Sequence, residues 1–123
     1  MDDLINRIAA NVGIEPDTAR KAVGVILAFL QSEGPADKVK EMLTAFPGAE
    51  ALIAEAGNGS GGLLGGLLGG GVMGLGSKLM GMGLGMGEIS GVAKETVGYA
   101  REQGKGKEID EIVASIPGLG QFV

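Results

Sequence analysis

The chain has no cysteine, no histidine and no tryptophan. Without cysteine there is no disulfide, no thiol nucleophile and no thiolate metal ligand. Without histidine the usual general base, the Ser-His and Cys-His dyads and the commonest zinc ligand are gone. Aromatic residues are confined to Phe29, Phe46, Tyr99 and Phe122. A core must therefore come from Ala, Val, Ile, Leu and Met, the palette of packed helices more than of sheets. Positive charge is also scarce: 10 Lys and Arg against 15 Asp and Glu give a formal charge of −5. Lys38 and Lys40 alternate with Asp37 and Glu41, so no basic patch forms, and nucleic acid is not an expected partner. The opening Met1-Asp2-Asp3-Leu4 lacks the basic and apolar regions of a secretory signal, which makes the cytoplasm the expected location.

What is present is helical punctuation. The 123 residues suit one domain, and 45% of them are apolar. Leu4, Ile5, Ile8, Ala9 and Val12 share one helical stripe, stopped by Gly13. Pro16 and Asp17 read as a new helix start. That helix carries Ala19, Ala22, Val23, Ile26, Phe29 and Leu30 on its apolar face and ends at Gly34-Pro35. Val39, Met42, Leu43 and Phe46 mark a third helix from about Asp37. Pro47-Gly48 breaks it, and a short fourth follows with Ala49, Leu52, Ile53 and Ala56. After Gly87 the pattern returns: Ile89, Val92, Ala93, Thr96, Val97 and Ala100 form one stripe, and Ile109, Ile112, Val113 and Ile116 the next.

These two halves overlay at a constant offset of 70 without a gap. Gly34 falls on Gly104, Pro47-Gly48 on Pro117-Gly118, and Phe29 on Tyr99. Only four positions from 19 to 53 are identical, so the argument rests on punctuation and stripe together. The expected fold is all-α: a small helical bundle of two pseudo-symmetric units, 1–56 and 88–123, joined by a Gly-rich connector, 57–87. Each unit is too small to bury a good core alone, so the two are expected to pack together. At the same offset the first helix maps onto the end of the connector, which makes 72–84 a further helical candidate.

Fifteen of the residues from 57 to 87 are glycine, and Lys78 is the only charge among them. Gly57-Asn58-Gly59-Ser60-Gly61-Gly62 reads as a flexible linker. Beyond it, glycines recurring every four residues across 61–76 read as a glycine zipper, able to support self-association or, alternatively, membrane association. The match Gly69-x-Gly71-x-x-Gly74 and the reversed Ser77-Lys78 of a would-be P-loop lack a preceding strand and carry no weight. The candidate interaction surface is Leu63, Leu64, Leu67, Leu68, Met73, Leu75, Met80, Met82 and Met86. Its methionines suit an adaptable apolar face, with core filling as the competing reading.

No metal-site spacing, cofactor motif or catalytic constellation stands out. Glu108 and Glu111 flank the stripe of Ile109, Ile112 and Val113 and read as a solvated face. Val12-Gly13-Ile14, Pro47-Gly48-Ala49-Glu50-Ala51-Leu52-Ile53, the Gly/Leu-rich centre and Ile116-Pro117-Gly118-Leu119 together resemble small bacterial helical proteins of unknown function, of the Vcg type and related families. That resemblance implies a bacterial origin and a helical fold, and no functional residues. The expectation is a non-enzymatic helical module for protein interaction or self-association, with a homo-oligomer or another protein as partner and no cofactor or metal.

Overall fold

The computed structural model describes residues 2–60, 71–116 and 118–121. It is all-α, and no strand is present among the described residues. The order is α1 (Asp2–Ile8) running into a π-helical turn (Ala9–Gly13), α2 (Pro16–Glu33), α3 (Ala36–Leu43), α4 (Ala49–Ser60), α5 (Gly71–Gly81), α6 (Met86–Glu102) and α7 (Gly106–Ser115). A short 3-10 turn, Leu119–Gln121, follows.

The helix boundaries have local causes. Pro16 opens α2, where its missing N–H costs nothing and its fixed φ is already helical. Gly34 closes that helix with its N–H on Leu30 O at 2.8 Å. At φ −88°, ψ 171° it is extended, as a residue ahead of Pro35 must be. Its counterpart Gly104 precedes Lys105 and is free to turn left-handed, at φ +84°. There Lys105 N–H reaches Ala100 O at 2.9 Å and Gly104 N–H reaches Arg101 O at 3.1 Å, a Schellman closure. At the start of α6, Glu88 accepts a hydrogen bond from Gly85 N–H at 2.9 Å, satisfying one of the amides that a helix start leaves open.

Packing is organised around α2. Every residue from Ala22 to Leu30 is buried, on all sides of the helix. α1, α3, α4, α5 and α6 all pack on it. A helix with no polar side chain over nine residues can be stable in water only when enclosed in this way. Each large side chain there contributes on the order of 1.5–3 kcal/mol through its removal from water. Phe29 and Leu27 are fully buried, as are Leu4, Ile8, Met42, Leu79, Ile109 and Ile112 from the surrounding helices. The one buried polar side chain among the described residues, Thr96, donates to Val92 O at 2.8 Å within its own helix.

The element boundaries repeat at the offset of 70. α2 begins at 16 and α6 at 86; α3 begins at 36 and α7 at 106; α4 begins at 49 and the last turn at 119. Gly13 and Gly83 are both left-handed, at φ +84° and +92°, and Gly48 and Gly118 both stand at φ +85°. The pairings also exchange under that shift. α3 packs on α7 and α2 on α6, while α1 on α6 is answered by α5 on α2.

One sequence expectation needs correction. Residues 57–60, taken as the start of a linker, continue α4, which runs twelve residues to Ser60. The packing of α4 along α2 supplies the tertiary support that Gly57 and Gly59 lack locally. The remainder of the linker and zipper region, 61–70, lies outside the described residues. Helix α5 occupies Gly71–Gly81, where the offset places a counterpart of α1.

Gly34 sits where α2, α3 and α7 converge. A Cβ there would stand 2.8 Å from Leu30 O, 2.9 Å from Val39 Cγ2 and 3.1 Å from Ile112 Cγ2. Gly34→Ala should therefore destabilise the protein by about 1–3 kcal/mol, the usual cost of overpacking, read as a lower urea midpoint at unchanged slope. Gly48→Ala has open space around the new methyl and should lose only the left-handed backbone preference, about 1 kcal/mol.

Candidate functional site

Three features outside the core qualify for scrutiny: a charged seam between helices, an apolar corner and a cleft. The seam joins the two halves. Arg7, in the last turn of α1, donates through Nε to Glu95 Oε2 at 2.7 Å and through Nη1 to Glu102, both on α6. Asn11 adds a contact to Glu95 at 3.3 Å. Val12 lies over Gly91, where a Cβ would come within 2.9 Å of Val12 Cγ2, so a glycine is needed for this close approach. On the other side, Lys38 of α3 meets Glu111 Oε2 of α7 at 2.8 Å. Within α6 and α7, Arg101 pairs with Asp110.

Glu108 and Glu111 are thus partly exposed and also face a neighbouring helix. Both are half-buried against α3, and Glu108 Oε2 is shielded from solvent with no hydrogen-bond partner among the described residues. Their surroundings explain the difference between them. The short contact from Lys38, reinforced by its charge and that of Lys107, holds the Glu111 carboxyl below its ordinary value despite some burial. Exchanging n with n+70 turns Lys38–Glu111 into Glu108–Glu41, two like charges. Both of these acids also act favourably on Lys38 through their charge. Nothing in it resembles a catalytic pair, and no group of three acidic residues able to hold a metal occurs among the described residues.

The apolar corner lies where α5 turns into α6. Met80 and Met86 expose 52% and 56% of their surfaces and are the exposed large hydrophobics among the described residues. Gly76, Gly81, Gly83 and Gly87 around them have open space where a side chain would be. Of the other residues expected on this surface, Leu75 is in fact buried and lines a gap of about 10 Å³ with Leu79 and Ile26. Its position on α5 turns it inward, as Ile5 on α1 is turned. Met82 is partly buried against the core. Met73 lies in α5, and Leu63, Leu64, Leu67 and Leu68 lie outside the described residues. No helix among the described residues is long and apolar enough to cross a membrane.

The cleft was not anticipated from sequence. It opens between the end of α2, α3 and the start of α4, with a volume of about 660 Å³. Val39, Leu43, Phe46 and Ala49 give it an apolar wall, and Gln31, Lys40, Thr44 and Glu50 bring polar groups to it. The Thr44 hydroxyl is engaged by Glu41 O at 2.6 Å. The Phe46 ring also packs against Tyr99 of α6, with centroids 5.3 Å apart. No spacing rule points to such a cleft, because it forms where three helices meet.

Two substitutions test the seam. Glu111 titrates lower in the folded chain than unfolded, so its contribution is complete above the unfolded pKa and disappears as pH falls through the folded one. Lys38→Met should lower the thermal midpoint at pH 7, and its difference from wild type should begin to shrink as pH falls through the ordinary glutamate range, about 4.3, and be gone only at still lower pH. Glu108→Lys, which sets a second cation beside Lys38 in place of an acid, should lower the midpoint at low salt by an amount that shrinks at high salt.

No family model, no curated protein and no solved structure matches the chain, so its function is read from its own residues alone.

Proposed function

We propose that the chain is a non-enzymatic helical module, built from two related units, that self-associates through the methionine corner between α5 and α6. The observation that carries this reading is the exposure of Met80 and Met86, each by more than half, on a surface bordered by bare glycines. Methionine is unbranched and polarisable and adapts to irregular partners. Glycine allows a second backbone to come close. Elsewhere the large apolar side chains of the described residues are buried or partly buried, so this corner is where association removes the most apolar surface.

Duplication is supported by the repeated helix starts, the matched left-handed glycines and the exchange of helix pairings at offset 70. In that reading the two units form an internal dimer, and the methionine corner lies on the segment between them, where the corresponding places in the first unit hold Ala10 and Pro16.

Light scattering across micromolar concentrations tests this. The wild-type chain should show a concentration-dependent increase in mass. The double variant Met80→Lys, Met86→Lys should weaken association by about tenfold or more, as loss of an apolar hot spot does, with unchanged helical circular dichroism. A wild-type chain that stays monomeric throughout would remove the proposal. Association that survives the double variant would move the interface elsewhere.

A further inference from the structure

We infer that helix α5 is a hinged cover, which leaves the groove between α2 and α6 as one unit while the rest of the bundle stays folded. Its counterpart at the offset of 70 is α1, and both pack on the same two helices. α1 is anchored by Leu4, Ile5 and Ile8, all buried. At those places α5 has Gly74, Leu75 and Lys78, and of these only Leu75 is a buried anchor. Leu79, at the place of Ala9, supplies a second. Arg7 also clamps α1 onto Glu95 and Glu102. The corresponding residues Ser77, Val25 and Ser32 carry no charge and form no such clamp.

Support from within α5 is thin as well. Four of its eleven residues are glycine, a poor helix former, and a helix of this length does not hold itself in water. The packing beneath it is incomplete. Leu75, Gly76 and Leu79 leave a gap of about 10 Å³ against Ile26, Ile89, Ala93 and Leu119, and side chains that face a gap forgo part of their dispersion attraction. Release therefore gives up two buried leucines rather than a full stripe, and the freed helix unfolds. Gly81, Gly83, Gly85 and Gly87 follow its last turn, and Gly83 already stands left-handed at φ +92°, which gives the chain there the freedom of a hinge. α2 is held on its other sides by α1, α3 and α4, so the remaining core stays closed. Met80 travels with α5 while Met86 stays on α6, so release takes the methionine corner apart. That last consequence rests on the association reading; the release itself does not.

The chain has no cysteine, so Ala93→Cys places a single thiol in the gap beneath α5. Its reaction with an aromatic disulfide reagent is followed in submicromolar full-length chain, below the concentrations at which association is measured, so the two readings fail separately. At low urea the thiol should react through an opening whose urea slope is less than about half that of global unfolding. Gly76→Ala has open space for its methyl, favours the closed helical form and should slow the reaction about fivefold. Hydrogen exchange of the unsubstituted chain, read by mass spectrometry, decides the question if Ala93→Cys fails to fold. The amides of residues 77–81 should share one opening, faster than that of the middle of α2, and Gly76→Ala should slow it by the same factor. Thiol reaction that follows the full slope of global unfolding at every urea concentration overturns the inference, as does a rate unchanged by Gly76→Ala. Amides of 77–81 that open only together with those of α2 overturn it as well.

Discussion

Burial of the uncharged middle of one helix governs this molecule. The stretch from Ala22 to Leu30 has no polar side chain, so its exposure to water on any side is unfavourable. Five helices from both halves of the chain surround it. Their own stripes are narrow and amphipathic, and each is satisfied by contact with α2 or with a neighbour already placed on α2. The hydrophobic driving force therefore does not hold two separate cores together; it encloses a single axis. The polar seams through Arg7 and Lys38 lie outside this enclosure. They fix how helices are set on it more than they add to stability, since their side chains remain substantially exposed.

Much of this was legible in the residues. The helix start at Pro16, a third helix from about Asp37, the breaks at Gly13 and Gly34 and the inward stripe of α6 follow from local chemistry that needs no tertiary partner. The completeness of α2 burial was less plainly read. A six-residue face describes it poorly, because Gly24, Val25, Leu27 and Ala28 on the other sides are buried as well. The signal was the absence of any charge over nine positions. Glycines 57 and 59 carry a poor helix propensity, yet the helix continues through them because α4 lies along α2. Propensity yields to packing there.

Site residues were harder to read, for a related reason. Glu108 and Glu111 flank an apolar stripe and look solvated until α3 is placed over them. Leu75 belonged to a stretch of uniform composition in which inward and outward positions cannot be separated without the helix phase. The cleft between α3 and α4 depends on how three helices meet, which the pattern of no single helix records.

Helix α6, the counterpart of α2, carries Lys94, Glu95 and Arg101 where α2 has Gly24, Val25 and Gln31. The helix starts recur at one spacing, but these two helices cannot stand in for each other: only α2 is dressed for the interior. Amide protons along the middle of α2 should consequently be the last to exchange with solvent, since reaching them requires the whole assembly to open, whereas α6 has a wet side from which it can fray.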